Sequence, residues 1–401
     1  MKDLKDLEID LYNLPRRPFC IRIDINLPVD RKGVLHTKSP RIEYYGEEIK
    51  LVSEFVPLVV IAHQIVKGSK YFMSLNKHKH VLEKIIKRPI EIVKSDEFYS
   101  NETKNRIRSL KTGDILLYEN IRMSLSEKMT FTPEKSIFVK FFKDMTGGIN
   151  DAFPIWHKGN ESVVGMSFLQ PSYIGLRSRY ELSLLNEAKI TFDNNDAVVI
   201  MGGSKVEKIR RYLPHLAKKS PILLGGILGQ LGAKSKGYNL GYMNEEFLRQ
   251  YMKQDVVDIL RDNNSKIFIP VDFVVEHLGE RKVYSIENVC ESHGLIKDIG
   301  PTTIEKYTAV SEDYPNILLG GTLGLWEENY LNTIEIVKKN LNKNIIIFGG
   351  ETCSMFDEKN FLKLFLSMGG KMSLGGASFY HGLVGFEYPC LEYMKMSGLN
   401  L

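Results

Sequence analysis

Met201-Gly202-Gly203-Ser204-Lys205-Val206-Glu207-Lys208-Ile209 has the residue types of an anion site. An apolar, largely β-branched run, Ala197-Val198-Val199-Ile200, leads into it, and a helical pattern through Arg210, Arg211, Tyr212 and Leu213 leads out. Glycines let backbone N–H groups come close to a ligand, a helix N-terminus favours negative charge, and Lys205 adds a full positive charge. Phosphate suits such a site. Gly-Gly pairs also occur in βα turns for packing alone, so this segment by itself leaves both readings open.

Further clusters of the same kind follow other apolar runs. In the first half these are Arg22-Ile23-Asp24-Ile25-Asn26-Leu27-Pro28, the later Ser39-Pro40-Arg41-Ile42, and Leu116-Leu117-Tyr118-Glu119-Asn120-Ile121-Arg122. Asn150-Asp151-Ala152-Phe153 comes next. In the second half they are Gly320-Gly321-Thr322-Leu323-Gly324-Leu325-Trp326-Glu327, Gly349-Gly350-Glu351-Thr352 and Ser373-Leu374-Gly375-Gly376-Ala377-Ser378.

The elements that position these clusters alternate in type. Strands are expected at residues 19–25, 58–62, 90–93, 115–118, 197–201, 222–224, 267–270, 317–319 and 344–348. Helices are expected at residues 47–55, 75–87, 133–144, 244–262 and 330–340. Such alternation is the mark of βαβ units and mainly parallel sheets, whose ligand loops follow the strand ends. A polar helical stretch at residues 178–189 precedes Asp193-Asn194-Asn195-Asp196, which makes it the connector between two α/β halves.

At 401 residues the chain is long enough for two domains. It is 43% apolar and 26% charged, as globular proteins are. No apolar run is long enough to cross a membrane, and the start Met1-Lys2-Asp3-Leu4 lacks the apolar stretch of a signal peptide. Cys20, Cys290, Cys353 and Cys390 are scattered without metal-type spacing and read as reduced thiols in a cytoplasmic protein. The net charge of +5 is uneven: residues 1–190 carry 31 Lys+Arg against 24 Asp+Glu, the remainder 23 against 25. A basic first half suits an anionic small substrate, or equally a lysine-rich solvated surface. No basic block interleaves with aromatics, which disfavours nucleic acid as a partner.

In this order the clusters resemble those of phosphoglycerate kinase, particularly its archaeal-type members. RVDxNxP occupies residues 22–28, with the following RI at Arg41-Ile42; LLxENxR occupies 116–122 and VNDAF 149–153. GGAKVxDKI corresponds to residues 202–209, PVDxV to 270–274 and DIGP to 298–301. The likeness spans residues 18–385, and seven motifs in family order are a specific signal.

The resemblance implies an α/β fold of two Rossmann-like three-layer domains with mainly parallel sheets, facing a cleft and joined by a helix. Residues 1–190 would bind 3-phosphoglycerate and residues 191–385 Mg²⁺ with ATP or ADP; residues 386–401 would be a tail docking back on the first domain. It further implies reversible phosphoryl transfer between ATP and the carboxylate of 3-phosphoglycerate in glycolysis and gluconeogenesis, by a cytoplasmic monomer or homodimer. By the same resemblance Arg41 and Lys205 stabilise the transferring phosphoryl group. Asp24, Asn26, His63 and Arg122 hold the substrate. Gly203, Gly225, Gly226, Gly320 and Gly350 line the nucleotide pocket, Glu327 takes the ribose, Glu351 lies near Mg²⁺ and Thr352 lies near the phosphates.

The departures from the family pattern are specific. HxGRP is here His63-Gln64-Ile65-Val66-Lys67, and AHRxH is Trp156-His157-Lys158-Gly159-Asn160. Two arginines of the substrate clamp are therefore absent, and Lys67 and Lys158 are the candidates to replace their charge without the guanidinium fork. Asn-Gly-Pro becomes Gly320-Gly321-Thr322, Gly-Gly-Asp becomes Gly349-Gly350-Glu351, and the first glycine of TGGGAS becomes Leu374. The second lysine of the GGAKVxDK motif stands at Lys208, one helical turn from Lys205, and is expected to reach the phosphates too. Two alternatives accompany this reading: a kinase of the same fold with another phosphorylated or carboxylated substrate, and a weakly active nucleotide-binding homologue.

Overall fold

The computed structural model describes residues 10–29, 33–65 and 72–398. The chain divides into two compact units: residues 1–183 together with 386–401, and residues 184–385. The division falls inside one helix, Leu176–Asp193.

The first unit is built on strands β1 (Phe19–Ile23), β2 (Leu58–Ile61), β3 (Glu91–Val93), β4 (Ile115–Tyr118), β5 (Gly147–Asp151) and β6 (Ser172–Ile174). They form one all-parallel sheet in the order β3-β4-β2-β1-β5-β6. Successive residues of a strand enter different cores. Ile21, Val60 and Leu117 pack in one apolar cluster, whereas Cys20, Val59 and Leu116 pack in the other. Both faces are thus covered, as parallel sheets require. The reversal of strand order lies between β1 and β5.

The second unit begins with β7 (Ala197–Met201), β8 (Ile222–Leu224) and β9 (Ile267–Phe268). It continues with β10 (Asp272–His277), β11 (Glu280–Ser285), β12 (Leu295–Ile299), β13 (Asn316–Gly320), β14 (Asn344–Phe348) and β15 (Lys371–Ser373). Six of these make a parallel sheet ordered β15-β14-β13-β7-β8-β9. Read from β9, that is the 3-2-1-4-5-6 order of nucleotide-binding sheets, and its switch point lies between β7 and β13.

Strands β10, β11 and β12 form a separate antiparallel sheet that the strand pattern did not foresee. Its β10–β11 hairpin turns through Leu278 and Gly279, both with positive φ, a geometry that matches strand twist without an Asn-Gly signal. Strand β5, central to its sheet, was also absent from the expected strands because Gly147-Gly148 dilutes its pattern. Gly148 is obligatory there, since a Cβ would lie 2.4 Å from the Met166 carbonyl oxygen. The helix expected over residues 244–262 is two helices, Tyr242–Leu248 and Gln254–Asp262, and the helix expected from residue 47 starts seven residues earlier, at Pro40.

Residues after 386 pack on the first unit. The helix Pro389–Gly398 lies by the short helix Gly165–Phe168, where the Ser167 hydroxyl donates to the Cys390 carbonyl at 2.9 Å. Tyr388 packs edge-on against Phe153 and Trp156, at 5.8 and 5.9 Å between ring centres. Tyr388→Ala should therefore destabilise the first unit by about 3 kcal/mol, the scale of truncating a buried aromatic. Trp156 and Trp326 are the only tryptophans, so a Trp326→Phe background lets fluorescence-monitored urea unfolding follow the first unit alone. An unchanged midpoint would mean that the tail contributes nothing.

Candidate active site

Each unit gathers its polar residues where its strand order reverses. In the first unit the centre is Arg22, the penultimate residue of β1, with 0% of its surface exposed. Its guanidinium donates to the Ser162 hydroxyl at 2.8 Å, to the carbonyls of Ile23 and Ile61, and lies 3.2 Å from His63 Nδ1. Burial pulls its pKa down to about 10, opposed by the charge of Glu127, so it stays a cation at neutral pH. Glu127 in turn accepts from the Ser162 backbone N–H and hydroxyl at 2.8 and 2.9 Å.

Asp24 follows the end of β1. Ser39 caps the helix Pro40–Ser53 by accepting from Arg41 N, and Pro40 sits in its first turn; together these set Arg41 at the helix start. Arg41 Nη1 meets Asp24 Oδ2 at 2.5 Å. Burial pushes the Asp24 carboxyl up, but the charge of Arg41, the Asn26 N–H and the charge of Arg22 together hold it below its ordinary value. Asn26 spends its side-chain oxygen on the Ile65 backbone N–H at 2.8 Å. His63 lies two residues beyond β2; burial drives its pKa well below the ordinary value against the pull of Asp24, so the ring is neutral. With Arg22 donating to Nδ1, the His63 proton sits on Nε2.

Asn120 and Arg122 follow β4. Arg122 Nη2 is 3.3 Å from Asn160 Oδ1, and its buried Nε has no partner among the described residues, so this guanidinium keeps a donor for a further acceptor. Lys158 is exposed in the loop after β5, and its positive charge is felt at His63. Asp24, Asn26, Arg41, His63 and Arg122 are thus carried by the C-terminal ends of adjacent strands or the helix that follows. Lys67 lies outside the described residues. The sequence reading passed over Arg22, although its place in the motif RVDxNxP pointed to it.

In the second unit, the turns after β7 and β13 meet edge to edge. Gly202 N donates to the Gly320 carbonyl at 3.1 Å and Gly203 N to the Thr322 carbonyl at 2.7 Å. The approach depends on glycine: a Cβ on Gly202 would lie 2.3 Å from the Thr322 oxygen, and one on Gly321, whose φ is +104°, would lie 2.3 Å from the Gly202 oxygen. Gly225 and Gly226 close the turn after β8 against the same loop, Gly226 N donating to the Leu323 carbonyl at 2.8 Å.

The two lysines of this turn have different surroundings. Lys205 is exposed and lies 3.7 Å from Glu351, near the start of the helix Gly350–Glu358. Lys208 folds its ammonium inward to the Gly202 and Gly320 carbonyls, at 2.8 and 3.3 Å, over the Tyr380 ring. Burial, followed by the charge of Lys205, lowers its pKa to about 8, against the pull of Glu351. Lys208 was expected to face phosphate; its described partners are strand-end carbonyls. Thr352 accepts from the Gly321 N–H at 3.0 Å, which ties the β14 turn to the β13 turn. Glu327 is exposed on the short helix Trp326–Glu328 after β13.

Two parallel α/β units, one basic and one carrying a glycine-and-lysine turn at a 3-2-1-4-5-6 switch point, define a nucleotide-dependent phosphotransferase. Comparison with known proteins narrows the class. The family model for phosphoglycerate kinase matches residues 9–379. The phosphoglycerate kinase of Sulfurisphaera tokodaii is 33% identical, over 98% of this chain and 97% of its own length. That of Saccharolobus solfataricus is 31% identical, over 100% and 99%. The crystal structure of phosphoglycerate kinase from Pyrococcus horikoshii superposes with a TM-score of 0.85 at 23% identity, covering 98% of this chain and 100% of that one. The Coxiella burnetii enzyme superposes at 0.68 and 22% identity, covering 97% and 99%. The chain belongs to the phosphoglycerate kinase family.

Lys208 supplies a pH test of this geometry. Its proton is held to about pH 10.5 in the unfolded chain and to about pH 8 in the folded one. Between those values the unfolded state binds the extra proton, so raising the pH stabilises the second unit. Lys208→Met should remove that increment, read as the wild-type-minus-variant difference in denaturation midpoint, and Lys205→Met should keep it. Equal pH profiles for wild type and Lys208→Met would show that the ammonium is solvated.

Proposed function

We propose that this chain moves the terminal phosphoryl group of ATP reversibly to the carboxylate of 3-phosphoglycerate, giving 1,3-bisphosphoglycerate, and that it does so in the cytoplasm. The observation that carries the reading is the meeting of two Gly-Gly turns at the switch point of the second sheet, with Lys205 opposite Glu351. Phosphoryl transfer needs little covalent help from the protein; it needs positioning and charge.

Lys205 neutralises charge on the transferring group. Gly203, Gly225, Gly226, Gly320 and Gly350 let backbone approach the nucleotide, Thr352 contacts its phosphates and Glu327 its ribose. Glu351 would hold the Mg²⁺ that accompanies the nucleotide, and the ion would neutralise charge on the phosphates. Lys208 adds charge behind the glycine turn. In the first unit Arg41 binds the carboxyl and the transferring phosphoryl, and Asp24 and Asn26 orient the substrate. His63, as a neutral Nε2–H donor, and Arg122, with its Nε unpaired among the described residues, serve the 3-phosphate. Lys158 and Lys67 supply the positive charge that two arginines supply in the family pattern.

Lys158, exposed where that pattern has arginine, favours a second reading: the same chemistry on another phosphorylated or carboxylated molecule. A coupled assay with 3-phosphoglycerate and MgATP separates the two. Turnover at kinase rates of about 1–100 per second supports the first. Nucleotide binding without turnover refutes it and leaves the second reading or a nucleotide-binding homologue.

Arg41→Ala and Lys205→Ala should each lower turnover by about 10²-fold or more, the usual cost of one preorganised charge at a transition state. Nucleotide affinity should change far less for Arg41→Ala; near-normal turnover in both variants sinks the mechanism. Lys67→Ala should weaken 3-phosphoglycerate binding about 10- to 100-fold, the worth of one charged hydrogen bond, with ATP affinity unchanged. An unchanged Michaelis constant for 3-phosphoglycerate would take Lys67 out of the site.

A further inference from the structure

The Asp of the DIGP motif, Asp298, has no part in the proposed chemistry, yet it is 2% exposed at the end of β12. One carboxylate oxygen accepts from the Ile299 N–H at 2.9 Å, and the other accepts from the Asn332 N–H at 3.0 Å. Gly324 presses against the same carboxyl: a Cβ there would lie 2.2 Å from its carbon. Asp298 therefore joins β12 to both ends of the loop that carries Glu327. Other groups brace the same loop. Leu325 N donates to the Lys297 carbonyl at 2.8 Å, and the Arg281 guanidinium donates to the Glu328 carbonyl at 2.8 Å.

We infer that Asp298 is a positioning residue for nucleotide, its two carboxyl oxygens holding the loop so that Glu327 meets the ribose. This rests on the ribose role of Glu327 proposed above. Each N–H takes a separate carboxyl oxygen, whereas an amide in the same place would offer only one acceptor.

Burial lifts the Asp298 pKa to about 7, against the two backbone N–H groups and the charge of Arg281. On the packed elements Lys297 pairs with Glu328 at 2.7 Å and Glu276 accepts from the Tyr330 hydroxyl; β10 also carries Asp272 and His277, the loop Glu327, and the helix Asn332–Lys338 Glu335 and Lys338. A loosened loop would return the carboxyl to water and its ordinary value, so the held loop binds the proton more tightly: lowering the pH towards 7 and below favours it, and nucleotide binding takes up a proton.

The test is the Michaelis constant for MgATP between about pH 6 and about pH 8, in the full chain. In the wild type it should rise as the pH rises through this range. Asp298→Asn, which offers one acceptor and one amide donor at every pH, should show a constant about tenfold higher at the acid end and flat above it. Its turnover at saturating nucleotide and its constant for 3-phosphoglycerate should match the wild type. Gly324→Ala keeps the carboxyl but displaces the loop, and should raise the MgATP constant by a similar factor; it decides the matter if Asp298→Asn does not fold. Glu327→Ala is the control. If it leaves the MgATP constant unchanged, the ribose role fails and takes this inference with it. If Glu327→Ala raises the constant while Asp298→Asn and Gly324→Ala do not, or if Asp298→Asn keeps the wild-type pH break, the positioning role is overturned.

Discussion

A cation enclosed at the C-terminal edge of each parallel sheet is the interaction on which the two sites depend. Where strand order reverses, neighbouring strands lead to opposite sides and the ladder ends, so carbonyls at the strand ends need donors. In the first unit Arg22 reaches the carbonyls of Ile23 and Ile61. In the second, Lys208 reaches those of Gly202 and Gly320. Each cation satisfies backbone groups and leaves positive charge where an anionic ligand would lie. Enclosure costs solvation, which is why both pKa values fall, to about 10 and about 8. A bound anion would offset that cost.

The carboxylates differ in what balances them. Asp24 lies beside Arg41 and Arg22, whose charges outweigh burial and keep it ionised. Asp298 has two backbone N–H groups and Arg281, and burial prevails. Asp272, of the motif PVDxV, caps the helix Pro301–Glu312 through the N–H groups of Thr302 and Thr303, at 3.0 and 2.7 Å. Gly300 leaves room for it, since a Cβ there would lie 2.2 Å from the Asp272 carboxyl carbon. The two motifs that looked least chemical thus anchor the loops that carry the more chemical ones.

Much was legible from residue types alone. Apolar β-branched runs interrupted by glycine turns are local signals, so β4, β7, β8 and β14 fall at their expected bounds. The order of motifs identified the family, and the glycine turns of the second half stand at strand ends as their composition implied. Local signals also explain the failures. Strand β5 is masked by Gly147-Gly148, and β10, β11 and β12 are partly exposed, charge-bearing strands with no apolar alternation to betray them.

Tertiary structure decided which side chains face one another, because spacing along a chain carries no information about strand order. Lys205 and Lys208 share a motif and a charge, yet one is exposed beside Glu351 and the other is enclosed by carbonyls from two strands. That difference arises only when β7 and β13, more than a hundred residues apart in sequence, become neighbours. The same holds for Arg22 against His63 and Asp298 against Asn332. Sequence by itself determined the residue types, the turns and the family. The sheet order determined which of those residues are partners, since buried charge is tolerable only where the fold brings it acceptors.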